Sequence, residues 1–118
     1  MGLDQFARTI DADGNRTEIA YWRKHPNLQG WMETLWDSKG RPNANENGED
    51  FNCVPLELTK EDLNNLEEAI LSEELPLTTG FFFGQNSDNE YREKDLEFIE
   101  NAREAIDNGL KVEYDSWW

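Results

Sequence analysis

The hydrophobic pattern is clearest from Leu28 to Trp36, where apolar residues fall at Leu28, Trp31, Met32, Leu35 and Trp36. Spacings of three and one trace a single face of an α-helix. Upstream, Thr17 is an N-cap residue for a helix running to Lys24. Pro26 lacks an N–H and clashes with the preceding turn, so a kink or restart is expected there. The second helical piece runs to Ser38 and is stopped by Gly40, and Gly30 within it leaves room for another backbone or a ligand to approach. Phe51 to Leu58 reads as a strand, with Pro55 marking an edge or an end. Thr59-Lys60-Glu61-Asp62 opens a further helix in the manner of a capping box, with Leu63, Leu66 and Ile70 as its inward stripe.

Gly80-Phe81-Phe82-Phe83-Gly84 reads as a short inner strand. A long helix then runs to Asn108 and stops at Gly109. Leu110, Val112 and Tyr114 alternate with Lys111, Glu113 and Asp115, which predicts a last strand. Residues 1–16 and 38–50 read as loops. In the first, Asp11-Ala12-Asp13-Gly14-Asn15 would place Thr9 and Ala20 at the end positions of a calcium loop, where neither can act as ligand. A tight turn is the better account. Three strands and three to four helices in one domain, 1–118, predict an α+β or small α/β fold with helices packed on the sheet. Parallel neighbours joined by right-handed crossovers are the default.

Charge changes the picture more than composition does. The 118 residues carry a net charge of −15. Residues 1–45 hold six acids and six bases, whereas 46–85 hold ten acids against one base and 86–118 ten against four. Such a surface repels nucleic acid and anionic lipid over a Debye length of about 8–10 Å. Direct nucleic-acid binding and membrane association are therefore not expected. No apolar run is long enough to span a bilayer, and no charged-then-apolar leader opens the chain. A single cysteine, Cys53, and a single histidine, His25, leave no disulfide and no metal site built from these residues. Cys53 is read as core and His25 as a helix-end or loop histidine. No acid–base or nucleophile pair is evident, the Gly80–Gly84 run lacks the ending of a P-loop, and a non-enzymatic protein without cofactor or metal is expected.

Two features of the last helix stand out. Leu96, Ile99, Ala102 and Ile106 form its inward stripe at 100° per residue. Opposite them, Glu90, Glu93, Glu97, Glu100, Glu104 and Asp107 form an acidic ridge roughly 25 Å long. It reads either as a solvated face or as a mimic of successive nucleic-acid phosphates. Asp95 falls inside the inward stripe, between Tyr91 and Ile99. A buried carboxylate needs a partner, and the adjacent cations Arg23 and Lys24 are the best candidates.

Tyr21-Trp22-Arg23-Lys24 followed by Leu28, Trp31 and Met32, then Thr78-Thr79-Gly80-Phe81-Phe82-Phe83-Gly84, Asp95-Leu96 and Tyr114-Asp115-Ser116-Trp117-Trp118, together resemble a family of short acidic proteins of unknown activity encoded by tailed bacteriophages. The similarity spans about residues 18–118 apart from 38–50. Relatives carry Ala-Asn where His25-Pro26 stand and Ile-His where Leu28-Gln29 stand, which argues against catalysis by either histidine. The resemblance implies a viral protein acting in the host cytoplasm and transfers no catalytic residue. The first expectation is a binding protein that captures a nucleotide-like or phosphorylated small molecule, as a host-takeover or anti-defence factor. Trp22, Arg23, Lys24, Trp31, Phe82, Tyr91 and Asp95 would form its ligand pocket. The alternative is an acidic inhibitor or DNA mimic that blocks a host protein through Glu93, Glu97, Glu100 and Glu104. Trp117 and Trp118 suggest an interface, a homodimer among the arrangements it allows.

Overall fold

A computed structural model describes residues 3–42, 51, 54–76 and 88–117. In chain order its elements are β1 (Asp4–Ile10), β2 (Arg16–Arg23), α1 (Pro26–Ser38), β3 (Leu56–Leu58), α2 (Lys60–Leu71), α3 (Asp88–Asp107) and β4 (Lys111–Trp117). The strands form one sheet in the order β2-β1-β4-β3. Every neighbouring pair is antiparallel. The fold is α+β, as the sequence predicts, but its sheet is not built from parallel crossovers. The first and last strands instead lie side by side at its centre.

Three segments differ from the sequence reading, one being the strand expected at Phe51–Leu58, which among the described residues covers only Leu56–Leu58. Residues 4–10 are a strand rather than a loop, and Thr17–Lys24 is not helical: Arg16–Arg23 is β2. Polar Gln5 and Thr9 face the core among β1's inward residues, so the strand lacks the clean apolar alternation that would have announced it. β2 is rich in β-branched and aromatic residues, and pairing with β1 decides its state, since strand preference depends on neighbours more than on local pattern. The Asp11–Asn15 segment is the turn that joins them. Asp11 Oδ1 accepts the N–H groups of Asp13 at 3.0 Å and Asn15 at 2.9 Å, and Gly14 takes a φ of 84° open to glycine. These bonds hold the Asp11 carboxyl below its ordinary range, the Asn15 backbone contributing most. The register shifts between Ala7 and Arg8, where β2 carries one extra residue, a β-bulge.

Register sorts the side chains by face. Gln5 pairs with Trp22 and Ser116, and Ala7 with Ala20 and Tyr114, all on the inner side. Leu56 and Leu58 extend that side from β3. Against it pack Leu28, Met32 and Trp36 of α1, Leu63, Leu66 and Ile70 of α2, and Phe98, Ile99, Ala102 and Ala105 of α3. The rings of Trp22 and Phe98 meet edge to face at 5.1 Å, and Phe51 bridges Trp36 at 5.0 Å and Tyr114 at 6.1 Å. The inward stripe of α3 is rotated from the expected one: Leu96 and Ile106 are only half-buried, whereas Phe98 and Ala105 are buried. The other face of the sheet carries Asp4, Phe6, Arg8 and Ile10 beside Asp115 and Trp117, and no described helix packs on it.

Local chemistry sets the helix ends. Pro26 opens α1, directly after His25, so the break foreseen there is a strand-to-helix junction. Thr59 and Asp62 form a reciprocal capping box on α2. Gly109, at φ 85°, terminates α3, with the Leu110 N–H donating to the Ala105 carbonyl at 3.0 Å. The expected strand at 80–84, most of the loop at 38–50, and Cys53 lie outside the described residues. Thr59→Ala removes the acceptor for the Asp62 N–H and should destabilise the protein by about 1 kcal/mol, read as a lower urea midpoint with unchanged slope.

Candidate functional site

Strand alternation turns Trp22 inward and Arg23 outward, and this decides what Asp95 meets. Asp95 is 1% exposed on the inner side of α3. Its Oδ1 accepts the Trp22 indole N–H at 2.8 Å, and its Oδ2 lies 2.8 Å from His25 Nε2. With the proton on Nε2, both carboxylate oxygens have a ring N–H donor. The expectation of a buried Asp95 with a partner is met, but Arg23 and Lys24 are not among these donors. Arg23 is exposed and reaches Asp4 at 3.8 Å, while Lys24, at φ 55°, turns the chain between β2 and α1. Tyr91 closes the group from above: its hydroxyl donates to the Arg23 carbonyl at 2.6 Å, and its ring lies 4.9 Å from that of His25.

A second buried network adjoins it. The Gln5 side chain accepts the His25 backbone N–H at 2.8 Å and donates to the His25 carbonyl and the Tyr114 hydroxyl. Tyr114 in turn donates to Gln29 Oε1 at 2.5 Å. Burial pushes the Tyr114 phenol far above its ordinary range, so it acts as a neutral donor and acceptor. A carboxylate–imidazole pair resembles part of a catalytic relay. Here His25 is 0% exposed and its neighbours are Asp95, Tyr91 and Gln5. Among the described residues these contacts tie α3 and β1 to the junction between β2 and α1.

Of the ligand pocket drawn from the sequence, Trp22, Asp95 and, through His25, Tyr91 come together among the described residues. Trp22 and Asp95 are buried against each other and Arg23 points away. Trp31 lies apart on α1, lining a shallow groove with Leu35 and Pro76, and Phe82 lies outside the described residues. Glu93, Glu97, Glu100 and Glu104, expected from the sequence to form an interface, are all exposed. None of those four forms an ion pair among the described residues, whereas Asp107 pairs with Lys60 and Glu67 with Arg103. The Glu90 side chain and Trp118 are not described. Trp117 is 55% exposed.

Sequence reading missed the open face of the sheet. Phe6, Arg8, Asp115, Ser116 and Trp117 line a cleft of about 250 Å³ there. Arg8 lies over the Phe6 ring at 4.9 Å and reaches Asp115 Oδ2 at 3.5 Å. Burial raises the Asp115 carboxyl above its ordinary range, opposed by a backbone N–H at Ser116 and by Arg8. Among the described residues no group of three or more His, Cys, Asp or Glu side chains converges as a metal site, and no helix is long and apolar enough to cross a membrane. Comparisons with protein-family models, curated proteins and solved structures return no match.

Two outcomes test this geometry. Asp95→Ala strands the Trp22 and His25 donors and should cost roughly 3 kcal/mol, measured by urea unfolding, with His25→Ala coupled to it in a double-mutant cycle. Asp115 binds its proton more tightly in the folded state, so it favours folding below the unfolded carboxylate pKa of about 3.9. That contribution is lost as pH rises through the folded value. Asp115→Asn should therefore raise the melting temperature at pH 7, with the gain fading as the pH falls into the carboxylate range.

Proposed function

We propose that the protein is a non-catalytic binding protein that engages a basic protein partner through the outer face of α3. The observation that carries this reading is the row Glu93, Glu97, Glu100 and Glu104, exposed and without ion pairs among the described residues. Neighbouring acids at these spacings lie about 5–6 Å apart and repel one another by tenths of a kcal/mol. A cationic surface laid along the helix relieves that repulsion and releases counterions. In a molecule of net charge −15, the long-range field also steers such a partner inward.

A surface that meets a row of regularly spaced negative charges is one suited to nucleic-acid phosphates, so blocking a host nucleic-acid-binding protein is the role this face supports. The phage resemblance supplies the setting, the cytoplasm of an infected bacterium. Capture of a nucleotide-like ligand at Arg23 and Lys24 has less support, because Trp22 and Asp95 are engaged with each other inside the core. Charge reversal at Glu97, Glu100 and Glu104 to lysine should abolish capture of a basic partner from bacterial lysate. Wild-type capture should weaken steeply as salt rises. Capture that survives both the reversal and high salt refutes the reading.

A further inference from the structure

The open face of the sheet repeats, one ring further along, an arrangement that the chain already fills for itself. On β1, the Arg8 guanidinium sits over the Phe6 ring at 4.9 Å and reaches the Asp115 carboxylate at 3.5 Å. Two residues beyond Asp115 on the same face, Trp117 offers a second ring, 55% exposed. Asp4 stands directly opposite it in the register, and directly paired residues in an antiparallel sheet share a face. Trp117 therefore has a carboxylate on its own strand and another across the ladder. Among the described residues, cations lie over Phe6 and Trp36 and none over Trp117. Among the described residues Asp115 Oδ1 has no hydrogen-bond donor.

We propose that the cleft formed by Trp117, Phe6 and Asp115 receives an arginine or lysine side chain of a basic partner protein, its cationic head over the Trp117 ring and paired with a carboxylate. An indole face is the strongest aromatic site for a cation, arginine most often supplying it, and a planar guanidinium stacks on a ring while donating to a carboxylate at its edge. The charge of the whole molecule favours the same occupant. An anionic ligand would meet the field of a molecule of net charge −15, while at the face itself Asp4, Asp115 and Glu113 are met by Arg23, Arg8 and Arg16. The cleft lies on the face opposite the helices, so it is a contact distinct from the α3 ridge and does not depend on it.

The test uses the full chain and a fluorescently labelled peptide of alternating arginine and glycine, followed by anisotropy at physiological salt. Trp117→Ala and Asp115→Asn should each weaken binding by about fivefold, and Trp117→Phe should fall between wild type and Trp117→Ala. The same peptide with citrulline in place of arginine, isosteric but neutral, should not bind. A variant with Glu97, Glu100 and Glu104 changed to glutamine separates the two surfaces: it retains the Trp117 dependence if the cleft holds the side chain. Trp117 is exposed and Asp115→Asn is expected to stabilise the fold, so lost binding is not lost structure, and circular dichroism verifies this. Unchanged affinity in Trp117→Ala, or equal binding of the citrulline peptide, overturns the cleft while leaving the ridge to be judged by its own variants. Absence of binding by the wild type overturns it as well.

Discussion

One buried carboxylate organises this protein. Asp95 sits in the inner stripe of α3, where a charge without donors would cost several kcal/mol, and its two oxygens lie 2.8 Å from the ring nitrogens of Trp22 and His25. Those rings belong to the last inward residue of β2 and to the residue that precedes α1. A single side chain therefore fixes how the third helix lies on the sheet and where the chain turns from strand into helix. Gln5, bonded to both the backbone N–H and carbonyl of His25, ties the same junction to the central strand. Buried polar contacts of this kind specify an arrangement, because any sliding of α3 would leave polar groups unpaired.

This choice of donors has a consequence for the surface. Because Trp22 is turned inward to meet Asp95, alternation sends Arg23 outward to Asp4, and the cation expected in a pocket becomes part of an exposed sheet face. The molecule then presents two different sides. The helical side carries a row of acids that form no ion pair among the described residues. The sheet side mixes aromatic rings with both signs of charge around a shallow cleft.

Much of the candidate site was legible from the sequence in part. Asp95 announced itself by falling on an apolar stripe, and the acids of α3 by their spacing of three and four. The partner of Asp95 was not legible. The strand state of residues 16–23 turns Trp22 inward and Arg23 outward, and the turn at Lys24, φ 55°, brings His25 inward where a continued strand would send it outward with Arg23. The cleft was hidden for a different reason. Phe6 and Arg8 stand next to Asp115 and Trp117 only because β1 pairs with β4, and no local pattern relates the two ends of the chain.

The sequence by itself determined the helices α1, α2 and α3, the last strand, the turn at Asp11, the caps at Thr59 and Gly109, and the burial of Asp95. Each follows from interactions within a few residues: hydrophobic period, capping hydrogen bonds and the φ preference of glycine. Tertiary structure decided the strand state of 4–10 and 16–23, the antiparallel order with both chain ends at the centre of the sheet, and the donors to Asp95. Strand pairing draws its energy from cross-strand neighbours and from burial of one shared face. Those terms do not exist until distant segments meet, so they leave no mark on the periodicity of either segment alone.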